Sequence, residues 1–335
     1  MTKLRYLPDV VAGYRRIPRG RGYYYLDPNG ERVTDRRKLG RFRALAIPPA
    51  WKDVWISPSK RGHLQATGID GEGRKQYRYH PEWTAEKQHK KLLRMCAFGE
   101  ALPSIRKQIL KDLRREVLDK PKVVALALKV MEETLIRVGN EQYRKKYGSH
   151  GLTTLRKKHL TVSGNTAVLK FKGKKGVKHL ITVRSRKLAG LLAALADQPG
   201  TYLFQYRNGD NELTRLGARD VNAYLQTYCG SVFSSKDFRT WYAGVWALRL
   251  FAERLDYTTK KDCNSNILSV LDAVSRRLGN TRTVCKQYYV PARLVGAYED
   301  GTLLPYLRRC RAAGRTKNAE RHLLVFLKHV SAETA

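Results

Sequence analysis

Hydrophobic residues in this chain keep two different periods, and the change from one to the other comes near residue 90. Before it, short apolar runs are broken by turn formers. Tyr23-Tyr24-Tyr25-Leu26 enters Asp27-Pro28-Asn29-Gly30, Trp51 to Ile56 lies between Pro48-Pro49 and Ser57-Pro58, and Gln76 to Tyr79 follows the glycine-rich stretch Gly68 to Gly73. Such segments favour strands joined by tight turns. From Thr84 to Met95 the pattern turns helical. Ile105, Ile109, Leu113 and Val117 then recur every fourth residue, with Arg106, Lys107, Lys111, Arg114 and Arg115 on other faces. That spacing predicts an amphipathic helix closed by Pro121. A second helix is expected from Lys122, its apolar stripe made of Leu128, Met131, Leu135 and Val138, with Arg137 beside the stripe. Residues 240–256, 265–278, 291–299 and 318–330 read as further helices. The expected architecture is α+β: a small β-rich N-terminal domain over 1–90 and a larger, mainly α-helical domain over 91–335.

One island interrupts the helical half. Ala167, Leu169 and Phe171 alternate, Lys172-Gly173-Lys174-Lys175-Gly176 intervenes, and Val177, His179, Ile181 and Val183 alternate again. This pattern predicts a β-hairpin with a lysine cluster at its tip. A lysine-rich turn is commonly just solvated, but a hairpin tip is also a natural way to reach a long cation into a nucleic-acid groove.

Charge narrows the function. Against 29 Asp and Glu stand 66 Lys and Arg, for a net charge of +37 spread along 335 residues. With 42% hydrophobic residues there is enough apolar mass for a packed core, so the basic charge belongs to a folded body suited to a polyanion. A purely structural basic protein shares that composition. The five cysteines, Cys96, Cys229, Cys263, Cys285 and Cys310, lie far apart. That spacing disfavours a zinc module or a disulfide scaffold and suggests a reducing compartment. No apolar run approaches the ~20 residues of a membrane span, and Met1-Thr2-Lys3-Leu4-Arg5-Tyr6 lacks the apolar core of a signal peptide. The chain carries no G-x4-G-K-[ST] phosphate loop and no D-x-D acidic cluster, so neither a nucleotide cofactor nor a metal is expected. The expectation is a cytoplasmic, nucleoid-associated protein bound to duplex DNA.

Several segments, in order, carry a resemblance. They are Ile47-Pro-Pro-Ala-Trp51, Gly68-Ile-Asp-Gly-Glu-Gly-Arg-Lys-Gln-Tyr-Arg-Tyr79, Arg137-Val-Gly-Asn-Glu-Gln-Tyr143, Gly151-Leu-Thr-Thr-Leu155, Phe171-Lys-Gly-Lys174, Lys236-Asp-Phe-Arg-Thr240 and the run from Gly279 to Tyr289. Together they resemble the poxvirus-type and bacterial type IB DNA topoisomerases. The resemblance implies a β-rich N-terminal domain and a helical catalytic domain that clamp duplex DNA as a monomer. It also implies relaxation of supercoils through a transient 3′-phosphotyrosyl nick, without ATP or an obligatory metal.

It further implies roles. Tyr289 matches the nucleophile, although adjacent Tyr288 offers the same phenol and the residues themselves do not choose between them. Arg137 and Arg239 match the pair that holds the non-bridging oxygens, for which a permanently charged, planar guanidinium is suited. Lys174 matches the general acid that protonates the departing 5′ oxygen. Asn280 stands where poxvirus members have His; a neutral amide cannot transfer a proton there but can donate a hydrogen bond. Gln76, Tyr77 and Tyr79 resemble a major-groove contact strand, with Arg74 and Lys75 placing the DNA backbone. Tyr143 and Lys236 resemble further DNA-contacting positions, although aromatic packing accounts for Tyr143 equally well. A tyrosine recombinase uses the same Arg/Lys/Tyr chemistry, but its second arginine usually follows a His-x-x pattern rather than Lys236-Asp-Phe. A non-enzymatic architectural binder would need only the charge.

Overall fold

The turn-punctuated N-terminal segment folds as one antiparallel sheet. The computed structural model describes residues 3–229, 233–313 and 316–333, and the chain forms two compact units, Met1–Lys91 and Leu92–Ala335. In the first, strands β1 (Tyr14–Arg19) and β2 (Gly22–Leu26) precede helix α1 (Arg36–Ala44), followed by β3 (Lys52–Ile56), β4 (Leu64–Ile69) and β5 (Lys75–Tyr79). The sheet order is β2-β1-β3-β4-β5, with every pairing antiparallel. Asp35 caps α1 by accepting from the Arg37 backbone at 2.7 Å. The helix lays Phe42 against Tyr14 and Tyr25, with ring centroids 4.9 Å apart in both pairs. The Ile47-to-Trp51 motif is a loop gathered around one buried cation: Arg16 donates to the carbonyls of Ile47 at 3.1 Å, Pro48 at 3.0 Å and Trp51 at 2.7 Å.

Helix α2 (Pro81–Asp112) leads the chain into the second unit. There follow α3 (Lys120–Thr134), α4 (Glu141–Tyr147), β6 (Leu160–Ser163), β7 (Thr166–Lys172), β8 (Lys178–Arg184) and α5 (Arg186–Asp197). Next come β9 (Gln205–Arg207), β10 (Leu213–Arg215), α6 (Ala218–Cys229), α7 (Ser235–Ala252) and α8 (Lys260–Leu278). The chain closes with α9 (Arg282–Tyr288), α10 (Ala292–Glu299), α11 (Leu304–Ala313) and α12 (Thr316–Ala332).

The first long helix stops earlier than its apolar spacing suggests. It ends at Asp112, and Val117 stands in the following loop, 70% exposed. Pro121 does not close a helix but opens one. Asp119 caps α3 by accepting from the Lys122 backbone at 3.1 Å, and Pro121 sits in the first turn, where a missing N–H costs nothing. The α3 stripe likewise ends sooner, because Leu135 takes left-handed backbone angles and stops the helix, leaving Val138 in the loop beyond.

The hairpin forms between β7 and β8, with Phe171 opposite His179 and Lys172 opposite Lys178. The additional strand β6 makes it a three-stranded sheet. Helix α7 runs through the middle of the unit and is buried on nearly every side, its Trp241 and Phe238 packing around Phe98 of α2. A helix so enclosed carries whatever polar residue it bears into the interior, and it bears Arg239.

Candidate active site

Two of the motifs singled out in the sequence turn out to be each other's packing partners. Past the α3 C-cap, the Arg137 and Val138 carbonyls accept from the backbone of Leu152 and Thr153, both at 2.8 Å. A Cβ on Gly151 would lie only 2.6 Å from the Arg137 carbonyl oxygen, so the Gly151-to-Leu155 segment needs its leading glycine to support the arginine loop. Thus held, Arg137 donates to the Gly279 carbonyl at 3.3 Å and to the Asn280 side-chain oxygen.

Arg239 is only 4% exposed. Its guanidinium donates to the Leu135 carbonyl and, at 2.7 Å, to the Leu278 carbonyl. Those are terminal carbonyls of α3 and α8, which lack partners within their own helices and carry the negative ends of the helix dipoles. Two helix ends therefore aim one buried cation. Its neighbour Asp237 does not neutralise it, being taken by Arg94 at 2.7 Å and by the Ser234 cap. Burial, and then repulsion from Arg137, push Arg239 down to about 10.

The two adjacent tyrosines part company. Tyr288 is 49% exposed, whereas Tyr289, at the C-terminal end of α9, is 9% exposed, its ring centroid 5.4 Å from the Arg239 guanidinium carbon. Burial alone would raise the Tyr289 phenol. Arg239, then Arg137 and Asn280, outweigh that and hold it below the ordinary phenol value. Because Asn280 accepts from Arg137 through its oxygen, its amide nitrogen is the other end; that nitrogen is buried and, apart from leaning on the Tyr289 phenol, has no partner among the described residues.

Lys174 stands at the hairpin tip, exposed, with its ammonium 5.7 Å from the Tyr143 ring centroid. Arg137, Tyr143, Lys174, Lys236, Arg239 and Tyr289 all line one cavity of about 290 Å³. Asn280 stands behind it, tied to Arg137. His150 also lines this cavity and was not evident from sequence. Its backbone donates to the Lys172 carbonyl at 2.7 Å and its ring Nδ1–H to the Thr154 carbonyl at 2.6 Å, so it joins the hairpin to the Gly151 segment.

The remaining candidates lie on or beside β5 in the N-terminal unit. Tyr77 and Tyr79 share one face of this edge strand and stack, 6.0 Å apart and 8° from parallel. Gln76 alternates with them and points to the other face. Three contacts are already engaged by carboxylates: Arg74 by Asp70 and Glu72, Lys75 by Asp9 at 2.5 Å, and Gln76 by Asp70 at 2.8 Å. Backbone bonds from Arg74 and Glu72 and the Arg74 side chain hold the Asp70 carboxyl at about 2.

The comparisons with known proteins agree across the chain. A family model described as eukaryotic DNA topoisomerase I, catalytic core, matches residues 75–297, and one described as bacterial DNA topoisomerase IB, N-terminal domain, matches residues 22–70. The DNA topoisomerase 1B of Acanthamoeba polyphaga mimivirus is 33% identical over 285 residues, spanning 83% of this chain and 84% of that protein. The chain belongs to the type IB DNA topoisomerases. Within the family it falls in the poxvirus-like and bacterial group. The DNA topoisomerase 1B of vaccinia virus (strain Copenhagen) is similar at 23% identity over 258 residues, 76% of this chain and 78% of that one. Among solved structures, the XerH site-specific recombinase bound to difH substrate, in a pre-cleavage complex, matches at 16% identity with a TM-score of 0.35. That match covers 59% of this chain and 52% of the recombinase. As a type IB topoisomerase, the enzyme relaxes supercoiled DNA by cutting and resealing one strand, without ATP. Among the described residues, no helix is long and apolar enough to cross a membrane.

Proposed function

We propose that this topoisomerase cuts duplex DNA by attack of the Tyr289 phenolate, formed by loss of its proton to solvent, on phosphorus; the bond from phosphorus to the 5′ oxygen breaks, leaving a 3′-phosphotyrosyl ester and a free 5′ hydroxyl. Arg137 and Arg239 hold the two non-bridging oxygens, where negative charge grows in the five-coordinate transition state; preorganised donors of this kind are each worth about 3 kcal/mol. The amide nitrogen of Asn280 supplies a further donor and no proton. Lys174 protonates the departing 5′ oxygen, an alkoxide that leaves poorly on its own, and takes the proton back on religation. The covalent ester conserves the energy of the broken bond, so resealing needs no nucleotide. Tyr143, Lys236, Arg74 and the β5 residues Lys75, Gln76, Tyr77 and Tyr79 bind the duplex, which a monomer encloses as a clamp.

The observation that carries this reading is the meeting of Arg137, Lys174, Arg239 and Tyr289 on one cavity, although they are distant in sequence. A suicide duplex that traps the covalent adduct, followed by protease digestion and peptide mapping, tests it. The nucleotide should be found on Tyr289, and Tyr289→Phe should form no adduct while still binding DNA. Recovery of the nucleotide on Tyr288 would overturn the assignment.

A further inference from the structure

Between the hairpin tip and the C-terminal end of α8 there is one side chain that none of the chemistry above uses. His179, on β8 opposite Phe171, stacks on the Phe171 ring at 4.9 Å and 17°. The backbones on either side approach this imidazole more closely than any other residue would allow. A Cβ on Gly173 would stand 2.6 Å from Cδ2 and Nε2 of His179, and a Cβ on Gly279 would stand 2.7 Å from Cε1. Gly173 immediately precedes Lys174, and Gly279 immediately precedes Asn280 and accepts from Arg137. One ring thus fills the space between the turn that carries the proposed proton donor and the turn that braces the phosphate-holding arginine.

The surroundings dictate the state of that ring. The cavity beside it, about 260 Å³, is lined by Arg137, Lys174, Lys178, Arg239, Arg276 and Arg277, and no carboxylate is among its described lining residues. These cations come from the loop after α3, the hairpin, α7 and the end of α8, and His150, beside the Gly151 segment, is the other titratable group among the described lining residues. A protonated imidazole would add another positive charge to the group. Burial, and then Arg137 and Arg239, keep His179 below the ordinary histidine value.

We propose that His179 is a positioning residue whose neutral ring locks the Lys174 hairpin to the Gly279-Asn280 turn, holding proton donor and phosphate clamp in register. This rests on the reading of Lys174 as the acid that protonates the 5′ oxygen. If the ring is lost, the tip is free to move, and a shift of about 1 Å at a reacting group slows a reaction by about 10²-fold. The loss should fall on leaving-group protonation rather than on phosphate binding.

The test compares single-turnover cleavage of two suicide duplexes, one with the natural 5′ oxygen and one with a 5′-bridging sulfur, which leaves without a proton. His179→Ala should slow the oxygen substrate by about 10²-fold and restore near wild-type rates with sulfur. His179→Phe should keep most of the rate and lose the extra acid-side fall, on the oxygen substrate relative to the sulfur one, that the wild type is expected to show below the ordinary histidine value of about 6.5. Equal slowing on both substrates by His179→Ala, or no slowing on either, overturns the proposal. Should His179→Ala fail to fold, the pH dependence of the oxygen-to-sulfur rate ratio in His179→Phe decides alone, and a ratio that falls in acid as the wild type's does overturns it. Lys174→Ala on the same pair separates the two layers. Without rescue by sulfur the acid assignment itself falls and this inference with it; with rescue there but none for His179→Ala, only the role of His179 falls.

Discussion

Alanine at Gly173 offers a clean perturbation of the contact between hairpin and helix end. Gly173 has φ −94°, an angle alanine adopts without strain, so the substitution acts only through its new methyl group. That carbon would sit 2.6 Å from the His179 ring, about 1 Å inside the ~3.5–4.0 Å of an ordinary carbon contact. The ring is backed by Phe171, so the tip must give way instead. Overpacking of this kind costs about 1–3 kcal/mol, a fall in Tm of about 2–4 °C per kcal/mol for a unit of this size. A shift of about 1 Å at Lys174 predicts a loss of about 10²-fold in cleavage. Gly164→Ala, in the β6–β7 turn, is the control. There φ is +53° and no described residue lies within 4 Å of the new carbon, so backbone strain of about 1–2 kcal/mol is the whole effect. The two variants should lose similar stability, yet only Gly173→Ala should lose cleavage. Gly279→Ala combines a φ of +60° with a 2.7 Å approach to His179 and should lose most of both. Thermal denaturation and single-turnover cleavage on a suicide duplex measure the two quantities. Wild-type cleavage by Gly173→Ala, or an equal loss in Gly164→Ala, would refute the reasoning.

Two further outcomes follow from the charges. Because Arg239, Arg137 and Asn280 hold the Tyr289 phenol below its usual range despite burial, cleavage should rise with pH and level off below the ordinary phenol value of about 10. The sign for folding agrees: the folded chain releases that proton earlier than the unfolded one, so stability grows as pH climbs through the folded value. Arg239→Met should shift the plateau upward, and a wild-type plateau at or above 10 would contradict the arrangement. Binding to a nicked duplex should weaken steeply with salt, with a logarithmic slope of about −0.9 per phosphate contacted. Lys236→Ala should reduce that slope by about 1, while a flat response in the wild type would rule out an enclosing clamp.

The sequence revealed some of this structure plainly and hid the rest for identifiable reasons. Alternation around Ala167 to Val183 announced the hairpin because β7 and β8 each bury one face. The α9 helix gave no periodic signal, since a seven-residue element with Cys285 as its buried residue has no stripe to display. Val117 continued a four-residue spacing by coincidence. The capping residue Asp119 and the first-turn Pro121 mark where the next helix starts, and a local signal of that kind outranks an apolar residue placed in phase. At the site, adjacent phenols could not be told apart by spacing. Which one is buried depends on where α9 ends, and that is settled by its packing against the rest of the unit. His179 read only as an inward-facing strand residue, because its neighbours Gly173 and Gly279 are brought to it by folding and are distant in the chain.

On the proposed mechanism, the buried arginine suits the cavity to a phosphodiester. Lowering Arg239 to about 10 from an ordinary value of about 12.5 means that holding its charge in the fold costs about 3 kcal/mol. Burial is the largest cause and Arg137 the next. The carbonyl ends of α3 and α8 offset part of that cost while fixing the guanidinium's direction, and Asp237, which could have neutralised it, is bound to Arg94. A carboxylate partner would have made the free protein more stable and left the arginine with nothing to offer a substrate. An anion between Arg137 and Arg239 reverses both unfavourable effects at once, replacing lost solvation and screening the repulsion. The relief is greatest where the anion carries most charge, which is the five-coordinate phosphorus rather than the resting diester. On the proposed mechanism, the same pair of unneutralised cations therefore destabilises the empty fold and favours the transition state over the ground state.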